Sequence, residues 1–108
     1  MGNETVLESE IVVGEVLRAE EFEECRKEKM VKLVIDLGDE EVQSAAQLLF
    51  HHEVEELEGR QVLCAKGLGE VNIAGFVSEV LTLGVPGDDG NPVLVTPDEE
   101  VPLGGRLY

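Results

Sequence analysis

Ile73-Ala74-Gly75-Phe76-Val77-Ser78-Glu79-Val80-Leu81-Thr82-Leu83-Gly84 is an apolar run interrupted by one polar pair. Gly75 lacks a Cβ and permits a bend or a close backbone approach. Val80-Leu81-Thr82-Leu83 has the β-branched and apolar content of a strand, closed by Gly84 and the turn after it. Ser78 and Glu79 read either as a wet strand end or as the lining of a binding surface beside an exposed Phe76 ring. On the second reading, Gly75 sets the bend that presents the ring.

Upstream of this stretch the strand signals recur. Ile11 to Arg18 reads as a first strand, with Gly14 as a bulge or bend. A charged loop with Phe22 and Cys25 leads to a second strand, Met30 to Asp36, and Gly38-Asp39 supplies turn chemistry. Val42 to Phe50 is expected as a third strand. Glu53 to Glu58 reads as one helical turn stopped by Gly59, and Gln61 to Lys66 as a fourth strand. Gly67-Leu68-Gly69-Glu70 makes a flexible loop into the opening stretch, which carries the fifth. Downstream lie a turn around Val85 to Gly90, a short strand at Val93 to Val95, and an acidic turn before the tail. Three strands, a short helical link and two more strands is the order of an all-β, five-stranded Greek-key OB-fold barrel. The expected division is an acidic N-terminal tail or arm over 1–9, the barrel over 10–84 and a C-terminal extension over 85–108.

At 108 residues, with three Phe, one Tyr and no Trp, the chain supports one thin core that gains by burial against a second copy. No run approaches the length of a membrane span, and the polar, acidic N-terminus is unlike a signal peptide. A cytoplasmic protein without membrane insertion is expected. Cys25 and Cys64 form no C-x-x-C spacing and read as free thiols, one of them buried. The 24 acidic residues against 8 basic ones leave a net charge of −16. Such self-repulsion is costly at low salt, and at 1 M salt the Debye length shrinks to about 3 Å. The charge therefore predicts a salt-rich cytoplasm, as in a halophile.

Catalytic chemistry finds little to attach to. His51 and His52 are neighbours, so on a strand they face opposite ways and cannot chelate one metal. The carboxylates show no spacing that singles out an acid–base pair. Ser44 and Ser78 lack a nucleophile-elbow context, and no P-loop or dinucleotide fingerprint is present. Neither an enzyme, a metal nor a cofactor is indicated. Half of the basic residues, however, are concentrated: Arg26, Lys27, Lys29 and Lys32 fall in and beside the loop between the first two strands. An OB fold contacts oligonucleotides in that region, so these are the candidate nucleic-acid contacts. Five glutamates surround them, and with the overall charge they favour a charge-balanced loop over a phosphate site.

These residues, taken together, resemble the CsaA-type secretion chaperones. Those belong to a wider superfamily of tRNA-binding OB domains that includes the domain appended to some methionyl-tRNA synthetases and the EMAP II cytokine domain. The similarity runs from Ile11 to Tyr108. It is carried by Phe22-Glu23-Glu24-Cys25-Arg26-Lys27, by Ser44-Ala45-Ala46-Gln47, by Glu56-Leu57-Glu58-Gly59-Arg60-Gln61-Val62 and by Ile73 to Leu81. The ending, from Leu83-Gly84-Val85-Pro86 to Gly104-Gly105-Arg106-Leu107, matches as well.

The resemblance implies an OB-fold homodimer whose extensions outside the barrel make the subunit contact. It implies a chaperone that binds unfolded or precursor polypeptides in support of protein export, in an apolar cleft drawn from Phe22, Gln47, Leu68, Phe76, Ser78 and Glu79. The alternative is a tRNA-binding protein. Two departures bear on that choice. Where the family has Asn-Phe-Pro-Pro-Lys-Arg, this chain has Gly67-Leu68-Gly69-Glu70-Val71-Asn72, without the two bases. The His-Pro-x-Ala-Asp and Ser-x-Gly-Met motifs of the tRNA-binding branches are also missing. Both departures point toward the chaperone branch.

Overall fold

Residues 10–108 are described by the computed structural model, and the segment expected as an acidic tail, 1–9, lies outside the described residues. The chain forms β1 (Glu10–Glu21), β2 (Val31–Asp36), β3 (Glu41–Ala46), α1 (Val54–Leu57) and β4 (Gln61–Lys66). These are followed by β5 (Val71–Ile73), β6 (Phe76–Ser78), β7 (Leu81–Thr82), β8 (Gly84–Pro86) and β9 (Pro92–Leu94). The main sheet has five strands in the order β3-β2-β1-β4-β7, and β5–β6 and β8–β9 are separate hairpins. The five-stranded, nearly all-β OB-type fold expected from the sequence is the fold observed. Among the described residues, no helix is long and apolar enough to cross a membrane.

Strand β1 holds the sheet together because it is long enough to serve two partners. Its first half, Glu10 to Glu15, pairs with β4, and its second, Glu15 to Glu21, pairs with β2. The register slips between Val16 and Arg18, so the irregularity expected at Gly14 falls at Leu17 instead. Gly14 has a different reason to be glycine. A Cβ there would sit 2.5 Å from Ile35 Cγ2 and 2.8 Å from Leu37 Cδ2, so the curl of the sheet leaves no room for a side chain.

Alternation along the strands builds the core. Val31, Leu33 and Ile35 of β2 point inward against Val16, Val62 and Cys64, all with no exposed surface. Leu57 caps this core from α1, again fully buried, and so gives a four-residue helix a reason to exist. Each such side chain contributes about 1.5–3 kcal/mol by leaving water. Burial also pushes the Cys64 thiol up to about 12, which makes it an inert core residue. Both cysteines are free.

Several elements differ from the sequence expectation, among them β1, which runs to Glu21 rather than Arg18, and β8, a strand over Gly84–Pro86 where the sequence reads as a turn. The third strand stops at Ala46 rather than running to Phe50, because Leu48 drops into the core. Its carbonyl accepts the His51 and His52 N–H groups in a turn. The opening stretch is not one strand but a hairpin and a two-residue strand. Ala74 and Gly75 both have positive φ, +48° and +87°, the signature of a two-residue type I′ turn joining β5 to β6.

The C-terminal segment folds back onto its own barrel. Beyond the reach of β2, the free edge of β1 is taken by Gly104 to Leu107: Val13 N–H donates to Gly105 C=O, and Leu107 N–H donates to Ile11 C=O. Gln61 and Val101 exchange two further hydrogen bonds, of 2.7 and 3.0 Å.

Candidate binding cleft

The geometry of the site follows from how the barrel closes. Strands β3 and β7 are the two edges of the sheet, and no backbone ladder joins them. Side chains do most of the joining. Glu79 Oε1 accepts the Gln43 N–H at 2.8 Å, and Ser78 Oγ accepts the Ala45 N–H at 3.0 Å. In return the Glu79 N–H donates to the Gln43 carbonyl at 2.8 Å. Behind this seam Thr82 Oγ1 donates to Ser44 Oγ at 2.7 Å, a buried hydroxyl pair linking β3 to β7. The polar pair that interrupts the apolar run is therefore the clasp of the barrel, with its oxygens committed to the β3 edge.

At the end of the seam the wall opens into a cleft of about 760 Å³. Ala45, Ala46 and Gln47 form one side. Ile73, Ala74, Leu81 and Pro92 form the other, and Met30 and Leu48 form the floor. Arg26 and Lys27 stand on the rim beside Glu24 and Cys25. The lining is predominantly apolar, as a surface for uncharged side chains must be. Arg26, Lys27 and Lys29 are exposed and, among the described residues, have no carboxylate partner. Lys32 differs from them. Its Nζ lies 3.5 Å from a Glu20 oxygen and stands over the rings of Phe22 and Phe76, at 5.3 and 5.9 Å from their centroids.

The residues expected to make one cleft are thus distributed. Gln47 lines it, its side-chain Nε2 donating to the Glu28 carbonyl at 3.0 Å. Phe76 packs edge-on against Phe22 at 5.6 Å and borders a neighbouring depression of about 380 Å³ with Lys32 and Gln43. Phe22 is only 3% exposed and supports Phe76 rather than forming a lip. Leu68 is exposed in the Gly67–Gly69 loop and borders neither hollow. The four basic residues split the same way: Arg26 and Lys27 on the cleft, Lys29 beside Phe22, and Lys32 over the aromatic pair.

Leu81 and Pro92 escaped the sequence reading. A signal for Leu81 was present. In Val80-Leu81-Thr82-Leu83 both faces of a strand carry large apolar groups, and burial of Val80 and Thr82 leaves Leu81 51% exposed. Pro92 reaches the cleft because two histidines dock the β8–β9 hairpin. His51 Nε2 meets Asp89 Oδ1 at 2.9 Å, and the Leu94 N–H donates to His52 Nε2 at 3.2 Å. The His51 contact, with Asn91, holds the exposed Asp89 carboxyl well below the usual carboxylate range. Among the described residues, no group of three His, Cys, Asp or Glu side chains is placed to hold a metal ion.

Comparison with known proteins agrees with this architecture. The family model described as "Putative tRNA binding domain" matches residues 11–106. The crystal structure of the chaperone CsaA from Bacillus anthracis str. Ames aligns with a TM-score of 0.85 at 34% identity, covering 93% of this chain and 91% of that one. The MetRS related protein from Pyrococcus horikoshii aligns with a TM-score of 0.82 at 30% identity, covering 93% and 90% of the two chains. Among curated proteins, the methionine–tRNA ligase of Methanocaldococcus jannaschii is 33% identical over 95 residues, 88% of this chain. The chain spans only 14% of the length of that ligase.

Proposed function

The chain belongs to the tRNA-binding-domain family, and from that premise we propose that it is a polypeptide-binding chaperone module assisting protein export. The observation that carries this reading is the cleft itself, an apolar hollow of about 760 Å³ with two exposed cations on its rim. Such a surface suits the side chains of an unfolded or precursor polypeptide. An RNA backbone needs a run of phosphate contacts, and at a net charge of −16 two or three cations provide few of them. The likeness to a CsaA chaperone over nearly the whole length supports the same choice. The working form is a homodimer in the cytoplasm, its contact made by the surface around residues 85–108. High salt in that compartment offsets the self-repulsion of the acidic surface.

The test is peptide binding by a cleft variant. Leu81 is half exposed, so Leu81→Glu leaves the core intact while placing a carboxylate in the apolar wall. It is expected to weaken binding of an unfolded client peptide at least about tenfold, with the dimer intact by sedimentation. Unchanged affinity would overturn the assignment of the cleft.

A second reading, tRNA binding, is favoured by the family and by the exposed Arg26, Lys27 and Lys29. On that reading Arg26→Ala with Lys27→Ala lowers tRNA affinity and reduces the salt slope by about two. Absence of tRNA binding at physiological potassium removes it.

A further inference from the structure

We propose that the cleft takes up its polypeptide as an added β-strand, an extended apolar segment laid along the open edge of β3 at Ala45 and on past Gln47, the residue that follows the strand; this rests on the polypeptide-binding reading above. Strand β3 spends one edge on β2, where Val42, Ser44 and Ala46 stand opposite Ile35, Leu33 and Val31. The alternate residues turn their backbone groups the other way, as the Glu79 N–H bond to the Gln43 carbonyl demonstrates. Gln43 is satisfied on that edge in both directions, and the Ala45 N–H is satisfied by Ser78 Oγ.

There the clasp runs out. Among the described residues, the Ala45 carbonyl accepts no hydrogen bond and the Gln47 N–H donates none. Both residues line the cleft. The Gln47 side chain does not cover the gap, since its amide is held by the Glu28 carbonyl.

A backbone acceptor at the end of a strand edge and the next donor just beyond it form a ladder position awaiting a partner. An extended peptide meets it with its own N–H and C=O, and every second side chain then points into the apolar hollow between Ala46 and Leu81. The exposed cations Arg26 and Lys27 on the rim complement a carboxylate on the incoming segment. Main-chain recognition of this kind tolerates varied sequence, as a chaperone requires. A single-stranded RNA could stack in an apolar hollow, but it offers no repeating amide donors and acceptors to the edge.

The parity of backbone contacts provides the test. The probe is a short labelled peptide alternating Val and Thr, with an acidic C-terminus, titrated against the full chain by fluorescence anisotropy. N-methylation of alternate residues removes the donors of one peptide edge only. In one parity it is expected to cost about tenfold in affinity, the worth of one or two hydrogen bonds, and in the other little. The Gln47 amide, followed by hydrogen exchange, is expected to become protected when the unmodified peptide is added. Tight binding with equal effects of both parities, or with an unprotected Gln47 amide, overturns the added strand while leaving the cleft as a peptide site. No binding of the unmodified peptide overturns both. Protection of Gln47 by single-stranded RNA in place of the peptide also overturns the proposal.

Discussion

The two halves of the barrel wall are built by different means. From β3 through β2 and β1 to β4, neighbours are joined by continuous backbone ladders over a core of alternating Val, Leu and Ile. Across the seam from β3 to the segment 78–82, the edge is held by two side-chain oxygens, one hydroxyl pair and backbone bonds to the Gln43 carbonyl alone. A ladder satisfies every outward group in turn. A clasp made of side chains satisfies only those it reaches, and the cleft lies where its reach ends. The candidate site is thus a consequence of how the barrel is closed.

Substitutions on the two sides should separate these contributions. The largest effect is expected in the ladder half. Leu33→Ala empties a fully buried position and should cost about 2–5 kcal/mol in denaturant unfolding. Glu79→Ala, in the clasp, leaves the Gln43 N–H without its acceptor and should cost about 1–3 kcal/mol, with Glu79→Gln restoring most of it. A loss near zero for Glu79→Ala would mean that the carboxylate adds nothing to the seam beyond its backbone and hydroxyl bonds. The buried hydroxyl pair should show coupling. Ser44→Ala strands the Thr82 hydroxyl, whereas Ser44→Ala with Thr82→Val removes both polar groups and should cost less than the sum of the singles by about 1 kcal/mol.

A smaller effect belongs to the hairpin that walls the cleft. His52 must keep Nε2 unprotonated to accept the Leu94 N–H. Burial, assisted by Arg60, lowers its pKa below the ordinary 6.5, against a smaller opposing pull from Glu56. A histidine whose folded pKa is depressed resists a proton that the unfolded chain accepts. Its contribution is therefore complete above about pH 6.5 and is lost as pH falls through the lower folded value. Melting temperature measured from neutral to mildly acidic pH should decline, and His52→Gln should flatten that decline. Salt acts on the whole molecule: unfolding in low and in molar KCl should show greater stability in the latter. Equal stability in both would contradict the role assigned to the −16 charge.

The two regions also differ in how well the sequence exposes them. Gln61–Lys66 has the same bounds in the sequence reading and in the fold, because turn glycines flank it and four successive residues inside it are buried. Strand β2 is legible from the inward alternation of Val31, Leu33 and Ile35. The fifth strand is not. Periodicity reports which face a side chain takes, and it carries no record of a side chain standing in for a backbone partner, as Ser78 and Glu79 do for β3. For the same reason the polar pair reads as a wet strand end or a binding surface until its hydrogen bonds are seen.

The site was legible in pieces. Gln47, Arg26 and Lys27 are each noticeable, but as parts of two different functions, and only the turn at Phe22 to Met30 brings them to one rim. Phe76 is conspicuous as a sparse aromatic, yet its ring is spent on Phe22 and Lys32. Pro92 could not be assigned, since its place depends on contacts from His51 and His52 to residues about forty positions away.

The central claim is that this tRNA-binding-domain chain uses its apolar cleft for polypeptide. A side-by-side titration of one labelled, unfolded peptide and one tRNA, both at the salt concentration where the protein is most stable, tests it most directly. Saturable peptide binding that Leu81→Glu weakens at least about tenfold is expected, with tRNA binding that is weaker and fades as salt rises. Tight tRNA binding at that salt, with no saturable binding of peptide, would contradict it.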